Sequence, residues 1–198
     1  MSELLTSTVV DVNGSNRASE LEGALFDGNG TVLATVDEPG LSRWQRLYRA
    51  GYTFANRKQG VRPLGHRLQV RGAAGEPLFS IADARRIGLS RRRIRVLGPD
   101  GSLLGAAEQT WRNPIRGRFR LVDAHRGALG ELRPSGRLAL RYSVVDSGGV
   151  EVAQISRIPV ITPQGGGAPS RCHVTFGDVS DPLRVVVLGC AVALQLMV

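Results

Sequence analysis

Five arginines, Arg85, Arg86, Arg91, Arg93 and Arg95, fall within one short stretch, RRIGLSRRRIR. The planar guanidinium fork fits phosphate oxygens, so the chemistry this stretch could perform is the capture of an anion. Ile94 and Val96 alternate with Arg93 and Arg95, and a period of two places Arg91, Arg93 and Arg95 on one strand face about 7 Å apart, with Arg92 on the other. Arg85 and Arg86 join them if the preceding turn folds back. Like charges so spaced repel, and the row costs stability unless acids or an anionic ligand offset it. The same pattern also fits the wetted side of an antiparallel sheet whose other side is core. RFRL shows it again, with Phe119 and Leu121 on one side and Arg118 and Arg120 on the other.

Other reactive residue types are sparse. His66, His125 and His173 stand far apart, and none has the spacing of a metal-binding motif. His125 reads as a solvated turn residue. Cys172 and Cys190 lie in apolar surroundings without a CxxC pattern and read as small core residues of a reduced compartment. Asp27, Asp100, Asp123 and Asp146 fall at recurring turn positions, where aspartate bonds its own backbone and favours the bend. No GxSxG elbow or nucleophilic cysteine signature is present, and the three glycines of TPQGGGAPS, Thr162 to Ser170, match no phosphate-loop spacing. The expectation is a protein that is not an enzyme and carries no cofactor or metal.

The elements that must position these residues follow from a repeat. A short β-like run, a polar turn usually containing glycine, and a second run with a small residue at its centre recur in LFDGNGTVLATV (Leu25 to Val36), LQVRGAAGEPLFSI (Leu68 to Ile81), IRVLGPDGSLLGAA (Ile94 to Ala107), FRLVDAHRGALGEL (Phe119 to Leu132) and YSVVDSGGVEVAQI (Tyr142 to Ile155). The small position is Ala34, Gly105, Gly130 or Ala153, with Phe79 as the large exception. The wider gap after the first copy leaves room for a degenerate sixth. Glycine and asparagine accept the positive φ of tight turns, so each copy reads as a β-hairpin, and such hairpins in succession close a barrel or pack a sandwich. About six hairpins make about twelve strands.

Two stretches depart from the β pattern. LSRWQRLYRAG, Leu41 to Gly51, spaces Leu41, Trp44, Leu47 and Tyr48 as an amphipathic helix lying across a barrel end. LRVVVLGCAVALQLMV, Leu183 to Val198, is apolar on every side except at Gln195 beyond Val185. It is too short for the roughly 20 residues of a spanning helix, so the expectation is a helix buried inside the protein and no transmembrane span. The fold class is therefore mainly β: a closed antiparallel barrel of about twelve strands enclosing a C-terminal apolar helix. Residues 1–20 form an N-terminal segment, poorly structured or a first strand, and residues 21–198 form a single barrel domain of ordinary size. The N-terminal MSELLTSTVVDVNGSN lacks the pattern of a secretion signal, so the protein is read as cytoplasmic.

The repeated strand-D-x-x-G-strand hairpins, EVAQISR at Glu151 to Arg157, and FGDVSDPLRVVVLGCAVALQLM at Phe176 to Met197 together resemble the phospholipid scramblase and LURP-one-related group, which shares the tubby C-terminal fold. The resemblance covers Leu21 to Val198, and we read the chain as a bacterial member. It implies a twelve-stranded closed barrel threaded by the terminal helix. The proline-rich N-terminal region and palmitoylated cysteine cluster of scramblases have no counterpart here. The stretch matching their proposed calcium loop holds only Asp178 and Asp181, few ligands for an ion that takes six to eight oxygens. Gln195 stands where the family's helix usually carries an acid.

In the tubby branch a basic surface pocket binds phosphoinositide headgroups, and the resemblance carries over the idea of an anionic-lipid surface without assigning residues. Twenty-six Lys plus Arg against seventeen Asp plus Glu, a formal charge of +9, favour a polyanionic partner. The leading expectation is a peripheral membrane or scaffold module at the inner face of the membrane, binding anionic phospholipid through Arg85, Arg86, Arg91, Arg93 and Arg95. The alternative is a protein-interaction module with no lipid role. Aromatic residues at 5% and the lack of a nucleic-acid-binding motif count against base stacking or groove reading.

Overall fold

Apolar and polar residues alternate through much of the chain, and the runs become strands in the computed structural model, which describes residues 3–17, 20–40, 67–83, 92–110, 117–135, 140–158 and 171–196. The strands are β1 (Val9–Arg17), β2 (Glu20–Phe26), β3 (Val32–Asp37), β4 (Arg67–Gly72), β5 (Pro77–Asp83), β6 (Arg93–Leu97), β7 (Leu103–Gln109), β8 (Phe119–Asp123), β9 (Ala128–Ser135), β10 (Arg141–Asp146), β11 (Glu151–Ile158) and β12 (Arg171–Phe176). Each pairs antiparallel with its neighbours in the chain, and β12 returns to pair with β1, closing a twelve-stranded barrel with no free edge. The 3-10 turn Glu3–Leu5 precedes β1, and the helix α1 (Asp181–Leu196) follows β12.

The helix is the core of the barrel. Asp181 and Pro182 open its first turn, where proline's missing N–H is no loss. From Leu183 to Leu196 every residue except Val185 is buried, as an all-round apolar helix requires. The inward residues of the strands meet it: Val10 and Val12, Leu68 and Val70, Ile94 and Val96, Phe119 and Leu121, Val144, Ile155 and Val174 are all buried. Room for the helix comes from small residues. A Cβ on Gly105 would lie 2.5 Å from Val186 Cγ2, one on Gly189 would lie 2.5 Å from Val96 Cγ2, and one on Gly14 would overlap Leu196.

The small position of the repeated pattern has a fixed place in this wall. Ala34, Phe79, Gly105, Gly130 and Ala153 pair with Leu25, Val70, Val96, Leu121 and Val144 respectively, in each case at the last regular pair before a bulge. The turn beyond the bulge repeats one geometry. Its fourth residue has positive φ in every hairpin, at Gly30, Gly75, Gly101, Arg126 and Gly149, the left-handed position of a bulged hairpin turn. Arg126, with φ 68°, is the one L-residue so placed among the described residues.

The stretch left for a sixth copy and the expected helix at Leu41 to Gly51 fall within residues 41–66, outside the described residues. So does the glycine-rich loop, Thr162 to Ser170. Among the described residues the twelve strands comprise five hairpins together with β1 and β12. β3 pairs directly with β4, so the remaining two strands come from the two ends of the chain. No helix among the described residues is long and apolar enough to cross a membrane.

Candidate functional site: two charged faces of the barrel

The inside-outside alternation of β6 is as the sequence implies: Ile94 and Val96 are buried and Arg95 is exposed. Arg85, Arg86 and Arg91 lie outside the described residues, so Arg93 and Arg95 are the two candidate residues whose surroundings are defined. They differ. Arg93 sits in register with Glu108 of β7, and its Nη2 lies 3.1 Å from the Glu108 carboxylate. The register continues from Glu108 to Arg120 of β8 and from Arg120 to Glu131 of β9. Charges therefore alternate in sign across four strands, and Arg133 adds a 2.9 Å pair to Glu131. The repulsion expected along the arginine row is offset at Arg93 by acid on the neighbouring strand. Arg95 instead sits between Ala82 and Ala106, and no acid among the described residues pairs with it.

Five strand steps from β6 in one direction round the ring and six in the other, the seam between β1 and β12 carries a different arrangement. Asp11 of β1 alternates with inward Val10 and Val12, so its side chain belongs to the outer face, yet it is only 5% exposed. Its Oδ2 accepts a hydrogen bond from Arg171 Nη2 and its Oδ1 lies 2.8 Å from His173 Nδ1. Both partners stand on β12, with His173 directly opposite Asp11 and Arg171 opposite Asn13. A carboxylate accepts only, which places the proton on Nδ1 and leaves Nε2 for another partner. His173 faces Ser156 of β11, which faces Arg141 of β10. Arg141, Ser156, His173 and Asp11 thus form one row across four strands.

Sequence reasoning passed over this cluster. The alternation in RCHVTF does put Arg171 and His173 on one face, but nothing local shows that β12 pairs with a strand 160 residues earlier.

The remaining candidates behave as structure. The carboxylate oxygens of Asp27, Asp123 and Asp146 each accept backbone N–H groups of their own turns. The Thr31 N–H holds Asp27 below the usual carboxylate range. Asp100 differs from the other three: Gly98 opens its turn, and Asp100 sits two residues later, accepting the Ser102 hydroxyl, which lowers its pKa. Asp100 is thus the exception to the shared turn position that the sequence implies for all four acids. His125 is exposed in its turn, and His66 lies outside the described residues. Burial pushes the thiols of Cys172 and Cys190 up to about 12, which keeps them protonated and unreactive. Asp178 and Asp181 are exposed, and no cluster of three metal-binding side chains occurs among the described residues.

No family model and no curated protein matches the chain. Among solved structures, an X-ray structure of a protein from Arabidopsis thaliana is similar over 93% of this chain and 91% of that one, with a TM-score of 0.52 and 13% identity. At that identity the likeness is one of fold: the barrel wound around its own C-terminal helix has a counterpart in a plant protein.

Proposed function

We propose that this protein is a non-enzymatic barrel of the tubby-like, scramblase and LURP-one-related type that binds anionic phospholipid headgroups as a peripheral or scaffold module on the cytoplasmic side of a membrane. The observation that carries this reading is Arg95, exposed on the outer wall between two alanines. Its cross-strand neighbours carry no charge, and no described acid neutralises a guanidinium suited to phosphate. The formal charge of +9 supplies the long-range attraction that would bring such a surface to an anionic bilayer. The recurring hairpin and the enclosed terminal helix are what the resemblance to that group rests on. Arg85, Arg86 and Arg91 belong to the same proposed face through the sequence, while Arg93 serves mainly the ladder to Glu108.

Co-sedimentation with phosphatidylserine-containing and neutral vesicles at low and high salt tests this. The expected outcome is binding to anionic vesicles alone, weakened by salt, lost in Arg95→Glu and largely kept in Arg93→Gln. Absence of binding under every condition would overturn the lipid reading and leave a protein-interaction module.

A further inference from the structure

The donors on the seam face extend beyond the Asp11 cluster. Asp11 already satisfies Arg171 and His173. The row nevertheless continues outward from His173 to Ser156 and Arg141, at about 4.8 Å per strand. Arg141 is exposed, and no acid among the described residues pairs with it. The groups facing His173 are few. β1 contributes Asp11, β12 itself contributes Arg171 and Thr175, and β11 contributes neutral Ser156 and Gln154. The one carboxylate is shared with Arg171, so Arg141 and the imidazolium form of His173 flank the Ser156 hydroxyl with positive charge on both sides.

We propose that Arg141, Ser156 and His173 form a site for a tetrahedral oxyanion, the phosphoryl or sulfuryl group of a small ligand or a headgroup. Arg171 and Asp11 are its positioning residues. The buried carboxylate holds the imidazole by Nδ1, so that Nε2 faces the ligand without rotamer freedom to lose. Arg141 supplies a two-pronged donor from the other side, and Ser156 donates from between them. The neutral imidazole with Nδ1 protonated presents only an acceptor at Nε2, so it donates to a dianion only after taking up a proton. Capture of the anion through Nε2 is therefore coupled to uptake of a proton by the imidazole. The site lies four to six strands round the ring from Arg95 and does not depend on the lipid reading.

The test uses the full chain, with sulfate as the probe. The side-chain nitrogens of His173 are followed by NMR at constant ionic strength. The expected result is a saturable shift of His173 Nε2 as sulfate is added. Arg141→Gln changes an exposed residue outside the Asp11 cluster; it should weaken sulfate at least about tenfold through loss of the charge-assisted contact. A non-saturable shift, or the same affinity in Arg141→Gln, would overturn the site. Phosphatidic acid vesicles and inorganic phosphate, each competed against sulfate, separate a lipid source from a soluble one. In Arg95→Glu the sulfate response should persist, so failure of the lipid proposal and failure of this one give different results.

Discussion

The two charged faces of the barrel solve the same electrostatic problem in opposite ways. On the face formed by β6 to β9, Arg93, Glu108, Arg120 and Glu131 alternate in register, each half-exposed or exposed to water. On the face formed by β10 to β1, a single carboxylate is withdrawn from water and gathers two donors from the last strand of the sheet. The first arrangement keeps a highly basic wall from repelling itself, and its individual pairs are worth about 0 to 1 kcal/mol each. The second joins segments 160 residues apart at the one strand pair where the closed ring has no connecting turn. A second contact spans the same closure: Arg184 of α1 donates to the Ser7 carbonyl at 2.8 Å and lies 4.5 Å above the Phe176 ring. The location of charge on a barrel therefore decides whether it tunes solubility or fixes topology.

Removing Asp11 should break the contrast most severely. Asp11→Ala leaves Arg171 and His173 without their shared acceptor, but both can turn to water, being 47% and 37% exposed. The expected loss is about 2 kcal/mol, below the 3 to 5 of a fully buried pair. Asp11→Asn, which keeps one acceptor oxygen, should lose about half as much. Urea denaturation of the two variants measures this, and a loss under about 0.5 kcal/mol for the alanine variant would make the seam no different from the ladder.

The legibility of the two faces in the sequence differs for a physical reason. Alternation is a local signal, so Ile94 and Val96 against Arg93 and Arg95 could be assigned to inside and outside from five residues. The apolar helix was equally local, because a segment such as VVVLGCAVAL has no side to present to water. Partners across strands are nonlocal. Register with Glu108 decides whether Arg93 is spare or neutralised, and register is set by the bulge at Val96 and Leu97, which no composition rule places. The seam is the extreme case, since Asp11 and His173 meet only if the whole ring closes. Where hairpins recur, the turn acids were readable as turn acids, yet Asp100 occupies a different turn position from Asp27 because Pro99 and Gly98 shift it.

On the ladder side, the turn between β8 and β9 offers a way to raise stability without touching the seam. Arg126 occupies the position filled by glycine in the other four hairpins, at φ 68°, where a side chain costs roughly 1 to 2 kcal/mol. Arg126→Gly removes that strain but enlarges the freedom of the unfolded chain by about 0.4 to 1 kcal/mol. The net expectation is a gain of about 0.5 to 1 kcal/mol, seen as a rise of roughly 2 °C in melting temperature for a chain of this size. A fall would show that Arg126 makes a contact on this face that outweighs its backbone.

The smallest effect expected is at the ladder itself. Glu108→Gln removes the partner of Arg93, but the two side chains are 37% and 33% exposed, and water can solvate the freed guanidinium. The loss should stay within about 0.5 kcal/mol and vanish as salt approaches about 1 M, where the screening length falls to about 3 Å. Asp11→Ala, whose acceptor is withdrawn from solvent, should keep most of its larger loss at the same salt. Thermal melts of the two variants across a salt series therefore read the contrast directly. If the Glu108 variant lost as much as the Asp11 variant and was equally insensitive to salt, the ladder would be a structural element of the barrel. In that case Arg93 would be fully committed to it and unavailable to any anionic ligand.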